Sequence, residues 1–371
     1  MARKVLITGG AGFIGSHVAD NLLQRGYDVR ALDNLSPQVH GLQAGRPQYL
    51  NRDVELIVGD IHNREMVERA LRGIDAVFHF AAAVGVGQSM YELAHYTTTN
   101  NLGTAVLLEA LIARPVDRLV VASSMSVYGE GLYCDAAGAA VAGERSSAQL
   151  RRGEWEPAGP DGAPLTPVAT PETKPPSLAS VYALSKYDQE RLCLMVGSAY
   201  DIPTTALRFF NVYGPRQALS NPYTGVLAIF AARLLNGNRP LVFEDGEQRR
   251  DFVNVRDVAE CCRLALEVPQ ATGQVFNVGS GQWVTVNQIA RRLAEQLGKQ
   301  HLAPEITRKY RVGDIRHCFA DISLARRVLG YAPRVSLDDG IRDLAAWLEG
   351  QIAADRVAEA RQALETRGLT V

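Results

Sequence analysis

The sequence predicts an α/β chain: a doubly wound parallel sheet with a smaller, discontinuous C-terminal lobe. Three observations carry this. The run Lys4-Val-Leu-Ile-Thr-Gly-Gly-Ala-Gly-Phe-Ile-Gly-Ser-His17 reads as an apolar strand, a glycine turn and a helix. Short apolar runs then alternate with helical patterns, as parallel strands joined by crossover helices do. Gly9, Asp33, Asp60, Ala81 and Ser124 all fall at the carboxyl ends of strand runs, where open α/β sheets bind ligands.

The first strand pattern is Val5–Ile7, and the helix that follows carries Phe13, Ile14, Val18, Leu22 and Leu23 on one side. Gly9 permits the tight turn, Gly12 lets backbone approach a pyrophosphate, and Gly15 lets helix pack on strand. The helix N-terminus then offers free N–H groups and a favourable dipole to phosphates. The spacing is G-x-x-G-x-x-G. A second strand over residues 28–32 ends in Asp33, about 20 residues beyond Gly15, where an acid that holds a ribose 2′-OH is expected. That carboxylate would repel a 2′-phosphate, so the expected cofactor is NAD. Arg30 lies within the same strand and its direction is open at this point.

Further strands are expected over residues 54–58, 76–81, 119–122, 204–209, 241–243 and 275–278. Helices are expected over 64–71, about 101–112, 180–199, 224–235, 258–267, 286–297 and 335–349. Residues 129–176 are rich in Gly, Ala and Pro and carry mixed charge from Glu144-Arg145 to Glu156. They form a surface insertion, either a lid or subunit contact or a tolerated loop with one short helix. Trp155 within it favours packing against something. The expected organisation is a dinucleotide-binding part (1–211 with about 250–281, insertion at 130–176), a lobe (212–249 with 282–349) and a helical tail (350–371). The tail reads as a solvated or interface extension.

The 371 residues suffice for an ample core. Charged residues are 21% and hydrophobic ones 47%, a soluble mix. A net charge of −1 gives no electrostatic case for nucleic acid or an acidic membrane. No apolar run approaches spanning length. The first strand begins at Lys4, so no signal peptide is expected. Five cysteines without C-x-x-C spacing read as reduced, packed thiols in a cytoplasmic protein, and no metal site is expected.

Tyr182 and Lys186 stand four apart on a helix and share a face. A free phenol, with a pKa of about 10, is a poor base at neutral pH, and a nearby ammonium favours its phenolate. Such a tyrosine can take a proton from a sugar hydroxyl while hydride leaves the same carbon. Ser124, at a strand end, would hydrogen-bond that hydroxyl.

The ordered set Thr8-Gly-Gly-Ala-Gly-Phe-Ile-Gly15, Gly59-Asp60, His79-Phe-Ala-Ala82, Asn100-x-x-Gly-Thr104, Ser123-Ser124-x-x-Val-Tyr-Gly129, Tyr182-x-x-x-Lys186, Arg208-Phe-Phe-Asn-Val-Tyr-Gly-Pro215 and Arg250-Asp-Phe-Val-x-Val-x-Asp257 resembles the extended short-chain dehydrogenase/reductase family. It is similar to the NAD-dependent nucleotide-sugar epimerases and dehydratases over about residues 4–349. The resemblance implies a Rossmann-type fold, bound NAD, a nucleotide-diphosphate sugar as substrate, and a homodimer formed through a helix pair that includes the Tyr182 helix. It implies catalysis by Ser124, Tyr182 and Lys186. Cofactor contacts would come from Gly9, Gly12, Phe13, Ile14, Gly15, Asp33, Asn34, Asp60, Ile61, Ala81, Ala82, Asn100, Tyr182 and Lys186. Asp60-Ile61 would hold the adenine and Asn100 would lie beside the nicotinamide ribose. On the substrate side, Asn211 would bind the diphosphate, Arg250 and Arg311 would pair with its phosphates, and Asp314 would hold the nucleoside. Ser124 and Tyr223 would touch the sugar. An arginine fork suits a diphosphate.

Departures narrow the reaction. Dehydratases of this family carry Thr-Asp-Glu where this chain has Ser124-Met125-Ser126, and the decarboxylases place a Glu at position 126. Val84 replaces a lysine seen in some UDP-galactose epimerases. Redox at one carbon with no second reaction remains, which fits a 4-epimerase. The runs Ser124–Gly131, Pro175–Tyr182 and Ala218–Gly225 resemble a bacterial subgroup that converts dTDP-L-rhamnose to dTDP-6-deoxy-L-talose. Epimerases of UDP-glucose or its uronic acid, a nucleotide-sugar dehydrogenase, and a non-enzymatic NAD-binding scaffold are the alternatives.

Overall fold

Val5, Leu6 and Ile7 are all fully buried, although neighbouring side chains on a strand point to opposite faces. Burying a continuous run therefore requires cover on both faces of the sheet. The computed structural model, which describes residues 3–41, 45–311, 313–351 and 353–370, shows that cover. Seven parallel strands lie in the order Val275–Val278, Thr204–Phe209, Arg118–Ser124, Ala76–His79, Lys4–Thr8, Asp28–Asp33, Glu55–Val58. Helices Phe13–Leu23 and Val255–Glu267 cover one face, where Val18, Leu22, Val258 and Cys262 meet Ile7, Ala31 and Phe78. Helices Arg64–Ala70, Gly103–Ala113 and Val181–Ala199 cover the other, where Val67, Leu107 and Cys193 meet Leu6, Val77 and Val121. The sheet is the expected Rossmann-type doubly wound one. Its chain order reverses between Lys4–Thr8 and Ala76–His79, so a crevice opens at their carboxyl ends.

Element ends differ from expectation where side chains capture the backbone. The strand expected to reach residue 81 stops at His79, because the Ala81 N–H donates to Thr8 Oγ1 at 3.1 Å instead of continuing a ladder. The helix expected from about residue 101 begins at Leu93. It passes through a π-helical turn, Thr97–Leu102, and continues as Gly103–Ala113. The polar run Thr97-Thr-Thr-Asn-Asn101 hides that continuity in the sequence.

The insertion is more ordered than a loop with one helix. Leu132–Cys134 pairs antiparallel with Ala140–Ala142 and with Thr166–Val168, beside the short helix Ser147–Arg151. Trp155 packs on Tyr310, with ring centroids 6.5 Å apart. Buried charge fastens the insertion to the C-terminal part of the chain. Arg145 pairs with Glu130 at 2.9 Å and with Glu244 at 2.7 Å. Arg316, only 1% exposed, bonds Glu244 at 3.0 Å, Asp245 at 2.6 Å and Glu156. Burial alone would raise the Glu156 carboxyl, but hydrogen bonds from His317 and Arg316 outweigh it and hold it at about 2.

A separate core forms where helices Val226–Leu235, Val286–Gln296 and Leu337–Leu348 bring together Phe230, Ile289, Leu293 and Leu344. A capping box between Thr285 and Gln288 starts the second of these, and Ser336 caps the third. Strand Arg249–Arg250 lies between Val284–Thr285 and His317–Cys318.

In the tail the helix is confined to Val357–Glu365, and it is docked on the rest of the chain: Ala360 and Leu364 are 8% and 6% exposed. Residues 352 and 371 of that tail lie outside the described residues. No helix among the described residues is long and apolar enough to cross a membrane.

Arg316→Met should test the ionic seam. Removing the arginine strands the buried Glu244 carboxylate, so we expect a loss of about 3–5 kcal/mol in urea denaturation. A loss below about 1 kcal/mol would show that Glu244 and Asp245 find water instead.

Candidate active site

The glycine turn shows why each glycine is there. Gly9 sits at φ +70°, and a Cβ there would lie 3.0 Å from the Ala81 nitrogen. A Cβ on Gly15 would lie 2.4 Å from the Gly9 carbonyl oxygen, so that contact holds helix against turn. Gly12 is the N-cap of Phe13–Leu23, with no side chain capping the first N–H groups. Those donors are left for a ligand. Gly10, which the spacing argument passed over, packs on Ala31, where a Cβ would lie 2.6 Å from its methyl.

Asp33 ends the second strand and is 8% exposed. It accepts from the Ala11 N–H at 3.0 Å and the Leu35 N–H at 2.9 Å, so it also braces the glycine turn. Asn34 donates to Asp60 at 2.9 Å, joining the second and third strand ends. Ile61 is buried, and its Cγ2 would lie 2.5 Å from a Cβ on Gly103. Arg30 points away from this edge. It donates to the Ala70 and Arg72 carbonyls at 2.7 and 2.8 Å and pairs with Glu55 at 2.9 Å. It is spent at the end of Arg64–Ala70 and does not reach for a 2′-phosphate.

Ser124, Tyr182 and Lys186 converge at the same edge. Ser124 Oγ accepts from the Ser126 N–H at 3.2 Å and from the Ser126 hydroxyl at 2.9 Å. Its own proton is therefore free for a donor role. Ser180 caps the helix Val181–Ala199, and the Tyr182 N–H donates to Ser89 Oγ at 3.0 Å. Burial raises the Tyr182 phenol, with the Ser124 hydroxyl pulling the other way. Lys186 is 3% exposed, and burial lowers its ammonium to about 8 against the attraction of Cys193 and Glu190. Asn100 lies in the π-helical turn. It accepts from the Ala83 N–H at 2.7 Å and donates to Ser185 Oγ at 2.9 Å, tying the fourth strand's exit to the tyrosine helix.

Beneath Lys186 runs a buried relay that residue spacing alone did not reveal. Thr8 Oγ1 accepts from the Phe80 and Ala81 N–H groups, so its proton goes to His79 Nδ1 at 2.8 Å. His79 therefore carries its proton on Nε2 and donates to Thr104 Oγ1 at 2.8 Å. Thr104 donates to the Asn100 carbonyl at 2.5 Å and accepts from Gln189 Nε2 at 2.9 Å. Gln189 Oε1 then accepts from Lys186 Nζ at 2.6 Å. The two threonine hydroxyls each accept and donate, which carries the chain through from Thr8 to Lys186, and Gln189 Nε2 also lies 3.2 Å from His79 Nε2.

Of the other residues expected to meet substrate, Tyr223, Arg250, Arg311 and Asp314 each have a partner from the protein. One atom of the Asn211 terminal amide is buried without a partner. Arg250 turns its guanidinium onto the Arg249 and Arg316 carbonyls, at 3.0 and 2.8 Å, and onto the Ile315 carbonyl. Arg311 bonds Asp314 at 2.9 Å and lies 4.6 Å over the Phe243 ring. The two arginines therefore share the segment 311–316 but are not a bare fork. Tyr223 hydroxyl meets Tyr91 hydroxyl at 2.6 Å.

Burial holds His79 at about 3, with Lys186 adding to it, so it is neutral within the relay. The unfolded chain binds that proton below about pH 6.5 and the folded chain does not, so this group makes stability fall as pH drops from about 6.5 towards 3. His79→Gln should flatten that slope by about one proton, read from urea denaturation at several pH values. An unchanged slope would mean that His79 already titrates in the fold.

The sequence and the fold both have relatives. Residues 5–279 match the model of the NAD dependent epimerase/dehydratase family. The chain is 35% identical to a dTDP-L-rhamnose 4-epimerase of Burkholderia thailandensis, over 94% of this chain and 96% of that one. A UDP-glucose 4-epimerase of Thermotoga maritima, solved with UDP-glucose, superposes with a TM-score of 0.75 at 33% identity, covering 94% of this chain and 99% of that one. A UDP-glucose 4-epimerase of Thermus thermophilus, solved with NAD, gives 0.73 at 32% identity, covering 94% and 100%. The chain belongs to the NAD dependent epimerase/dehydratase family and is an NAD-dependent nucleotide-sugar epimerase of it.

Proposed function

We propose that this enzyme is a 4-epimerase of dTDP-L-rhamnose, forming dTDP-6-deoxy-L-talose by transient oxidation at C4. The observation that carries the one-carbon chemistry is the pair Ser124–Ser126. Where a dehydratase or decarboxylase would place a carboxylic acid, the Ser126 hydroxyl is spent on Ser124 Oγ at 2.9 Å. The similarity to the Burkholderia enzyme supports the substrate.

The glycine turn and Asp33 would hold NAD, whose nicotinamide would supply the hydride acceptor and donor for C4. The protein's part is to hold the sugar and move one proton. Ser124 donates to the C4 oxygen. Tyr182 takes the hydroxyl proton onto its phenolic oxygen and gives it back. Lys186, as ammonium, stabilises the phenolate and donates to the ribose with the protons that Gln189 leaves free. The cofactor residues are those named above: Gly9, Gly12, Phe13, Ile14, Gly15, Asp33, Asn34, Asp60, Ile61, Ala81, Ala82 and Asn100. Asn211, Tyr223, Arg250, Arg311 and Asp314 form the substrate side, with Arg250 and Arg311 exchanging carbonyls and Asp314 for phosphate oxygens. Residues 1–211 with about 250–281 serve the cofactor, and 212–249 with 282–349 the nucleotide sugar. Exposed Leu184 and Met195 on the tyrosine helix, with exposed Leu93 and Leu102 on the helical segment 93–102 packed against it, support a homodimer through these helices. A second reading, UDP-glucose as substrate, is favoured by the likeness to the Thermotoga enzyme.

Proton NMR with dTDP-L-rhamnose and no added cofactor should show a C4 epimer reaching a fixed ratio without accumulation of NADH. Interconversion of UDP-glucose and UDP-galactose instead would keep the mechanism and replace the substrate. Tyr182→Phe should lower kcat by roughly a thousandfold while the purified protein still releases NAD on denaturation. Full activity in that variant would remove Tyr182 as the base.

A further inference from the structure

The tail lies across the mouth of the crevice and is fastened at five places. Near its start, Asp355 pairs with Arg233 at 3.3 Å and accepts from Asn238 at 2.8 Å, on and beside the helix Val226–Leu235. In its helix, Leu364 packs on Gly87, where even a methyl would come within 3.2 Å of the leucine. Gly87 belongs to the short helix Val86–Ser89, whose Ser89 hydroxyl holds the Tyr182 N–H at 3.0 Å. Glu365 pairs with Lys309 at 2.9 Å. Beyond the helix, Arg367 places its guanidinium 4.3 Å over the Tyr91 ring, and Thr370 forms an antiparallel bridge with Arg311.

These contacts fall on both walls. Gly87 and Tyr91 lie just past the strand Ala76–His79 and border the reacting tyrosine. Lys309 and Arg311 lie on the opposite side, in the segment that leads to Asp314. A surface helix with no role would have no reason to bridge them. We propose that residues 353–370 form a strap that completes the nucleotide-sugar site, with Arg367 acting through Tyr91 as a positioning residue for Tyr223, and Thr370 steadying Arg311.

The physical chain is short. Arg367 stacks on the face of Tyr91, which fixes the ring. The Tyr91 hydroxyl meets the Tyr223 hydroxyl at 2.6 Å. Tyr223 is held from below by Gly85, at φ +146°, where a Cβ would lie 2.9 Å from both Tyr223 Cβ and Tyr96 Oη. Tyr96 in turn sets its ring edge-on to Tyr182, 6.4 Å away. Diphosphate bound by Arg311 would therefore hold the strap down, and the strap would keep the wall that faces the sugar.

This inference rests on the nucleotide-sugar reading of the site, and the test separates the two. The intact enzyme is digested with trypsin, with and without saturating dTDP or UDP, and cleavage after Arg356, Arg361 and Arg367 is followed by mass spectrometry. Binding of each nucleotide is measured by calorimetry on the same protein. We expect a bound nucleotide to slow cleavage at the three arginines by roughly tenfold, because the docked strap must open to be cut. Arg367→Ala should raise KM for the nucleotide sugar roughly threefold to fivefold, with kcat and NAD content near the parent's, as loss of uniform binding requires. A nucleotide that binds without changing the cleavage rate overturns the strap, and so does an Arg367→Ala variant with unchanged KM. If neither nucleotide binds, the nucleotide-sugar reading falls and the strap with it.

Discussion

The buried relay from Thr8 through His79, Thr104 and Gln189 to Lys186 is the constraint on which the cofactor side depends. It joins four elements: the first strand, the fourth strand, the helix Gly103–Ala113 and the tyrosine helix. Every member is buried, so loss of any one strands a buried polar atom. It also decides what Lys186 can do. A buried ammonium with a single protein acceptor keeps its remaining protons for a ligand. The same residues that fix the sheet edge therefore fix the orientation of Lys186 on the tyrosine helix above it.

Glu190 shows how the charge beneath the site is kept from disturbing it. It lies one turn past Lys186, fully buried, and would by itself pull the ammonium down into the helix. Arg208 claims it with a bidentate pair at 2.7 and 2.9 Å, and Ser123 donates to it at 2.6 Å. With three donors on its two oxygens, it makes no hydrogen bond to Lys186, which bonds neutral Gln189 instead. A lysine bonded to a carboxylate would be a poorer partner for a phenolate than one bonded to an amide.

Much of this was legible in the residues. The strand runs, the glycine turn, Asp33 and the Tyr182–Lys186 spacing all obey local rules, because a parallel sheet buried on both faces imposes continuous apolar runs and places chemistry at strand ends. What was not legible depends on long-range pairing. The π-helical turn that aims Asn100 is disguised by threonines and asparagines. The sheet within the insertion depends on Tyr133 and on carboxylates that only Arg145 and Arg316 make affordable to bury. Arg30 could not be oriented until Arg72 and Ala70 appeared at its end. The charged pattern of the tail leaves a solvated and an interface extension equally open, because the buried side of its helix is only Ala360 and Leu364.

These two kinds of legibility divide along the crevice. The cofactor side is held by glycine packing and by a relay of neutral hydrogen bonds, arrangements that tolerate almost no change in volume or polarity. The substrate side is held by ion pairs, by carbonyls that satisfy Arg250, and by a tail that reaches it from the far end of the chain. Such contacts can be exchanged one for another at modest cost when a ligand offers better partners. A bound diphosphate would be such a partner for Arg250 and Arg311. Tyr223 and the segment 85–91 stand on that side with the tail packed against Gly87 and Tyr91. A change of nucleotide or sugar could thus arise on the substrate side with the relay, the glycine turn and the Ser124–Tyr182–Lys186 geometry left as they are.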